Sequence, residues 1–430
     1  MFRQKTLCSA ITAVTVSRFA MVSALLIVFG IAANSTAQQQ QKNKDQDSAK
    51  QEFSGDEDGK LKIDLTKEPT LPEIDAPSTE EINESIQKGV EFLLKDQNKD
   101  GSWGSHDAQR PFQVYAPVPG AHHAFRSAVT AMCISALLES SPENEKAIEA
   151  VDKAEKWLID MLPRLRRATG DALYNVWGHA YAIQALVRLH NREGVDDEHK
   201  TRLKRLIADQ MEMLDRYESV DGGWGYYDFR AQARKPTGSS TSFVNATVLV
   251  AYKEAAEIGV QPNQKTVDRA IAATKRQQKK DFTYLYGEYL DKRPQRDINR
   301  PGGSLGRSQA CNIALRMWGD QTVNDLVLKN WLYRLYVRNG WLSIGRKRPI
   351  PHESWFAVAG YFYYYGHYYA AYCIEALPED QRPPYQGHLA KIIMAYQESN
   401  GSWWDYPFYG YHRPYGTAFS IMTLDRCLPE

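Results

Sequence analysis

The chain has 430 residues, 43% of them hydrophobic and 24% charged, with a formal net charge of +1. That balance excludes a nucleic acid held by bulk electrostatics, and the length allows one large domain or two to three smaller ones. The aromatic excess lies in tyrosine: 25 Tyr against 14 Phe and 10 Trp, with 13 of the tyrosines after residue 360.

The first segment in chain order reads as a targeting signal. Arg3, Lys5 and Arg18 precede a 15-residue apolar run over 19–33, and Ser35-Thr36-Ala37 has the small-x-small pattern of a cleavage site. A bilayer span needs about 20 apolar residues, so residues 1–37 are expected to be a cleaved signal peptide. The mature protein is then exported, periplasmic or secreted, with no integral membrane span. Residues 38–77 open with four glutamines, carry net charge −4 and show no apolar period, which predicts a disordered polar linker. Ser78-Thr79-Glu80-Glu81 matches a capping box and opens a single domain over 78–430. Cys133, Cys311, Cys373 and Cys427 sit in helical, apolar contexts and are expected as buried free thiols. Neither CxxC nor HExxH occurs, and no metal or cofactor is expected.

From Ser78 the pattern is helical almost throughout, interrupted by a recurring corner. Its fullest copy places Gln97, Gly101 and Trp103 after an amphipathic helix. Gln397, Gly401 and Trp403 repeat the spacing, and Glu218, Gly222 and Trp224 nearly do. Gln278 with Tyr284 is a weaker copy, and Gly340-Trp341 and Tyr174 mark two degenerate ones. The glycine supplies a positive φ for the reversal, the ring covers the corner, and the glutamine amide satisfies backbone groups the turn exposes. After each corner comes a more apolar helix, over 128–138, 176–189, 243–255, 309–318, 355–377 and 417–424. Six amphipathic helices alternating with six apolar ones predict an all-α fold, an outer and an inner ring of six hairpins.

Residues 88–103 resemble the QW motif of squalene-hopene and oxidosqualene cyclases, and the repeats look like those of protein prenyltransferase β-subunits. The resemblance covers 78–430 and implies an α/α toroid with a central cavity. The squalene-hopene family protonates its substrate with a DxDD aspartate, which this sequence lacks; Asp196-Asp197 sit in a polar turn. Of the zinc-binding pattern of prenyltransferases only Asp425-Arg-Cys427 is present, at the chain end, and the Cys-Gly-Glu-Gln thioester of other toroid proteins is absent. The resemblance therefore implies the fold without its known catalytic residues.

In a toroid all six corner loops share one rim. Those loops hold 14 Lys/Arg against 7 Asp/Glu, while the domain from Ser78 is only +2. An anionic or polar ligand at this mouth is one expectation, with Arg126, Arg230, Arg307 and Arg413 as contacts, joined by His412, Tyr226 and Tyr406. Asp228, Glu353, Asp405, His352 and Tyr227 are the candidates for acid–base chemistry, the carboxylates because adjacent aromatics would desolvate them. On the helix over 361–372, Tyr361, Tyr365, Tyr368 and Tyr372 form one stripe, toward either the cavity or neighbouring helices. Three readings follow: a terpenoid cyclase-like lyase or isomerase acting on a small molecule, a polysaccharide lyase or glycosidase on acidic glycans, and a non-catalytic binding or scaffold protein. A deep apolar cavity favours the first, an open groove with paired carboxylates the second, and a cavity filled by tyrosine the third.

Overall fold

The computed structural model describes residues 65–109, 118–228, 235–238, 240–292, 294, 297–354 and 357–429. Among them are thirteen α-helices: α1 (Thr79–Asp96), α2 (Pro119–Ser140), α3 (Glu145–Met161), α4 (Asn175–Asn191), α5 (Asp197–Tyr217), α6 (Ser242–Glu257), α7 (Gln264–Arg276), α8 (Pro301–Met317), α9 (Asp325–Val337), the short α10 (Asn339–Ser343), α11 (Tyr363–Glu375), α12 (Pro383–Met394) and α13 (His412–Asp425). The fifth inner helix thus starts at Tyr363, after a 3₁₀ turn over Gly360–Phe362, and not at 355. The signal segment and residues 38–64 lie outside the described residues.

Two kinds of helix alternate. In α1 the buried residues Ile82, Ile86, Val90 and Leu93 trace one stripe, as an outer helix requires. In α4 every residue from Gly178 to Val187 is buried, which only a helix packed on all sides can be. The helix starts differ too. The outer helices α1, α3, α5, α7 and α9 are capped by the side chains of Ser78, Asn144, Asp196, Asn263 and Asn324; none of the six inner helices has a side-chain cap. At Ser78 both bonds of the capping box form, Glu81 N–H to Ser78 Oγ at 3.2 Å and Ser78 N–H to Glu81 Oε2 at 2.8 Å. Asp196 is therefore a helix cap.

The inner ring closes. α2 packs on α4, α4 on α6, α6 on α8, α8 on α11, α11 on α13, and α13 returns to α2. The architecture is an α/α toroid. α8 and α11 cross at closest range, where a Cβ on Gly366 would come within 2.4 Å of Gly306 Cα. No helix among the described residues is long and apolar enough to cross a membrane.

The corners follow the sequence spacing atom by atom. Gln97 Nε2 donates to Gly101 O and to Ala150 O on α3, both at 2.8 Å. Gln397 Nε2 donates to Gly401 O at 3.0 Å and to Ser85 O on α1 at 2.9 Å, so the last corner clasps the first helix. The indoles of Trp103, Trp224 and Trp403 each donate to the carbonyl ten residues earlier, at 2.7–2.9 Å. At Gly101 (φ 92°) and Gly401 (φ 85°) an added Cβ would meet the backbone oxygens of Lys153 and Lys88 at 2.5 and 2.2 Å. In the middle copy Glu218 replaces the glutamine and binds Arg269 at 2.8 Å instead. The weaker copy keeps the turn with Phe282 at φ 60° where the glycine would stand. Gly340-Trp341 departs: it lies in α10 and makes no left-handed turn.

Ahead of Ser78, residues 65–77 of the segment expected as a linker are extended across outer helices α9 and α12. Asn330 Nδ2 donates to Lys67 O at 3.2 Å, Lys329 pairs with Glu68, His388 Nε2 meets Pro72 O at 3.0 Å and Lys391 Nζ donates to Asp75 O at 3.0 Å. This strap lies against outer helix α9 and explains why Lys329 and Asn330 on it are buried.

Candidate functional site

The inner helices start at the corner-loop end, and there they enclose a cavity of about 310 Å³. They supply Phe125, Ala128, Val129 and Met132 from the N-terminal half and middle of α2, Tyr174, Trp177 and Tyr181 at α4, Phe243 from α6, Tyr361, Phe362 and Tyr365 at α11, and Tyr411, Tyr415 and Phe419 at α13. Corner loops add Tyr226, Tyr227, Pro351, His352, Tyr406 and Phe408. Helix α8, held against α11 by the glycine crossing, contributes nothing. Nine of the twenty lining residues are Tyr and five are Phe, and none is Asp, Glu, Lys or Arg. The corner-loop residues outside the described set, 110–117, 229–234, 239, 293, 295, 296, 355 and 356, include no Asp or Glu in the sequence and five Arg.

Most polar atoms of this wall are tyrosine hydroxyls, bonded to one another, to histidine, or to groups behind the wall. Tyr174 and Tyr227 share a bond of 2.6 Å, and Tyr411 meets His122 Nδ1 at 3.0 Å. Tyr226 pairs with Tyr286, Tyr286 with Tyr361 at 3.1 Å, and Tyr361 with His352 Nε2 at 3.3 Å. Burial holds the His352 imidazole below its usual range, so the ring is neutral at pH 7. Burial likewise pushes the phenols of Tyr226, Tyr286 and Tyr361 well up. Among the described residues the lining carries hydroxyls and an imidazole and no Asp, Glu, Lys or Arg.

Of the residues singled out in the sequence, Tyr226, Tyr227, His352 and Tyr406 line the cavity. Asp405 stands just behind the wall, fully buried, accepting from the hydroxyl of Tyr415 and from Tyr364 N–H at 3.3 Å. Burial raises its carboxyl to about 7. Asp228 turns away into an ion pair with Arg167 Nη2 at 3.0 Å and accepts from Thr237 Oγ1 at 3.3 Å. Glu353 is buried in a tight turn, its N–H on Val358 O at 2.8 Å, and is not part of the lining. His412 Nδ1–H donates to Tyr409 O at 2.7 Å, the ring packs on Trp404, and burial pushes the imidazole down to about 4.

Among the described residues, the arginine candidates Arg126, Arg413 and Arg307 do not line the cavity. Arg126 binds Asp100 at 2.9 Å and covers Trp157. Arg413 bonds Ser402 Oγ at 2.9 Å over the Trp404 ring. Arg307 is fully buried, donating to the carbonyls of Tyr284 (2.9 Å), Gly303 (2.5 Å) and Ile298 (2.8 Å). They hold the corners because an unpaired guanidinium on an apolar wall would lose its hydration uncompensated. Arg230 lies outside the described residues. No group of three or more His, Cys, Asp or Glu among the described residues could hold a metal; Asp425 ends α13 and Cys427 lies just past it, at the opposite end. The four cysteines are buried free thiols.

The tyrosine stripe divides. Tyr361 and Tyr365 line the cavity, while Tyr368 and Tyr372 lie deeper, where Tyr372 O–H donates to Glu254 Oε1 at 2.6 Å. Sequence reasoning missed most of the apolar wall, including Phe125, Met132, Trp177, Tyr181, Phe243 and Phe419. The available signal was aromatic residues near the starts of several apolar helices, such as Trp177 with Tyr181.

The sequence model of the squalene-hopene cyclase C-terminal domain matches residues 63–291. No curated protein matches the chain. Among solved structures, the type II terpene cyclase MstE from Scytonema (apo) is 16% identical over 82% of this chain and 99% of its own, with a TM-score of 0.44. The GH76A α-1,6-mannanase from Salegentibacter sp. HEL1_6 is 10% identical over 80% and 98%, with a TM-score of 0.52. A family 76 glycoside hydrolase from a bovine Bacteroides thetaiotaomicron strain is 11% identical over 80% and 76%, with a TM-score of 0.51. At such identities the likeness is one of fold.

Proposed function

We propose, from the premise that this chain belongs to the family of the squalene-hopene cyclase C-terminal domain, that its cavity binds an apolar chain of the isoprenoid class. The observation that carries this reading is the lining: fourteen Tyr and Phe rings, one Trp and no charged side chain around about 310 Å³. Burying hydrocarbon there is favourable by roughly 25 cal/mol per Å², and ring faces also stabilise positive charge in a dry site. The volume is near the lower end of ligand cavities, about 300–1,000 Å³, which favours a short chain over a triterpene. Hydrolysis of a glycosidic bond ordinarily needs two carboxyl groups flanking it, and this wall offers none, so the glycan reading lacks its chemistry. Binding is the part of cyclase function supported best. Asp405, the carboxyl nearest in kind to a proton source, is screened from the cavity by the Tyr415 ring that it holds. Residues 1–37, read as an export signal, would place this activity outside the cytoplasm; N-terminal sequencing of the purified protein checks cleavage after Ala37.

The test is a titration of the whole chain with geranylgeraniol and, separately, an α-1,6-mannan oligosaccharide, followed by tryptophan fluorescence. A saturable change with the isoprenoid that shrinks in Trp177→Phe supports the reading, because Trp177 is the one tryptophan of the lining among the described residues. Binding of the oligosaccharide and not of the isoprenoid refutes it.

A further inference from the structure

The cavity has a floor, and the floor fixes how much of a chain it can hold. Its lining descends along the inner helices and ends at Met132 on α2, Tyr181 on α4, Tyr365 on α11 and Phe419 on α13. Phe419 meets Tyr181 with ring centroids 6.0 Å apart and Tyr365 at 6.4 Å, so rings from three helices join across the barrel at this depth. Tyr181, Tyr365 and Phe419 are still 4–5% exposed, whereas Tyr368 and Tyr369, the next layer of α11, are fully covered. The members of the floor differ in how they are held. Tyr365 is anchored, its hydroxyl donating to Phe243 O at 2.9 Å and meeting Thr247 Oγ1 at 3.1 Å. Phe419 carries no polar atom, and beneath it lies the Tyr368 ring, centroid 5.0 Å away, whose hydroxyl is bonded to that of Tyr372 at 3.0 Å. Removing the Phe419 ring therefore deepens the cavity onto another ring and leaves no hydrogen-bonding group unpaired.

Seven residues separate the first and last lining positions on α2, Phe125 and Met132, and at α4, Tyr174 and Tyr181, a depth of about 10 Å from the helical rise. An isoprene unit adds four carbon–carbon bonds, about 5 Å of extended chain at ordinary bond lengths and angles. We infer that Phe419 is the stop that sets ligand length: two isoprene units fill the space above it, a third lies among the mouth tyrosines, and any further unit stays in water. The inference rests on the reading of the cavity as an isoprenoid site and adds the chain length that the site accepts. Burial stabilises a carbon only where it leaves water, so affinity climbs with length until the chain meets the floor and then stops climbing.

The experiment measures Kd for geraniol, farnesol and geranylgeraniol, of two, three and four units, on the full chain by tryptophan fluorescence, each alcohol below its aggregation concentration. In the native protein farnesol should bind more tightly than geraniol, and geranylgeraniol within about threefold of farnesol. Phe419→Ala should make geranylgeraniol bind at least about tenfold more tightly than farnesol, and Phe419→Leu should move the pattern the same way by less. Val129→Ala, which widens the side wall, should shift all three affinities together. The floor assignment is overturned, with the isoprenoid site left standing, by a tenfold gain from farnesol to geranylgeraniol in the native protein or by the same release in Val129→Ala. A folded Phe419→Ala protein with the native pattern overturns it equally, and so does Phe419→Leu where the alanine variant does not fold. Failure of all three alcohols to bind the native protein overturns both.

Discussion

The two ends of the inner barrel use the same residue type in opposite ways. At the mouth, tyrosines bond one another and His352 around an open space. At the base, near the C-termini of the same helices, tyrosine completes a charged network: Arg188 binds Glu139 at 2.5 Å and Glu254 at 2.9 Å, Arg426 binds Glu139 at 2.6 Å, and Arg188 and Arg426 both donate to Tyr372 O–H, at 3.0 and 3.3 Å. These four charged side chains are at most 16% exposed. The arginines at the base sit where helix dipoles leave partial negative charge, and four inner helices are tied there by ion pairs. Ion pairs fill the base of the barrel, and the cavity lies at the mouth. Helix α11 runs through both, with Tyr361 and Tyr365 serving one end and Tyr368 and Tyr372 the other.

Arg188→Met breaks the contrast most severely. It leaves Glu254 buried without its cation and should cost about 3–5 kcal/mol in denaturant unfolding; a loss below 1 kcal/mol would mean the base is not a closure. Tyr372→Phe tests the same end more gently. Removing a hydroxyl bonded to charged groups should cost about 1.5–3 kcal/mol and leave isoprenoid affinity unchanged, so weakened binding would blur the division. Tyr365→Phe, at the mouth end of the same helix, removes a donor 2.9 Å from Phe243 O and should cost only about 0.5–1.5 kcal/mol, read as a small drop in Tm.

The ends should also separate by pH. At the base, burial alone would raise Glu139, but Arg188 and Arg426 outweigh it and hold the carboxyl at about 2. Its folded value lies below the unfolded one, so its contribution is present above about 4.5 and is lost as pH falls toward 2. Behind the mouth, Asp405 is raised by burial to about 7, so the folded state binds the extra proton and stability declines as pH rises from about 4 to 7. A Tm profile that keeps this neutral-range slope in Asp405→Asn would contradict the assignment.

The corner was legible because it is local. Gln97, Gly101 and Trp103 act within one turn, and their spacing carries the whole geometry, down to the left-handed backbone that even Phe282 maintains in a degraded copy. The alternation of helix types was legible for the same reason, since an outer helix shows its buried stripe and an inner helix shows none. The family match itself ends at residue 291, so α8, α11 and α13, and with them His352, Tyr361 and Asp405, were reached through the repeats and the structure.

What the sequence by itself determined is therefore the ring: the recurring corner, with Gly340-Trp341 as the predicted copy that departs, two kinds of helix, and the end at which the loops gather. Only the tertiary structure decided what the ring contains. An inner helix is buried on every side, so periodicity carries no mark of which side chains face the cavity. Nor does a rim count of charges show that Arg126, Arg307 and Arg413 are consumed by backbone carbonyls, a carboxylate and a hydroxyl at the corners. Each helix's orientation about its own axis is fixed by its neighbours across the barrel. That orientation turned hydroxyls and rings toward the ligand space and the charges away from it.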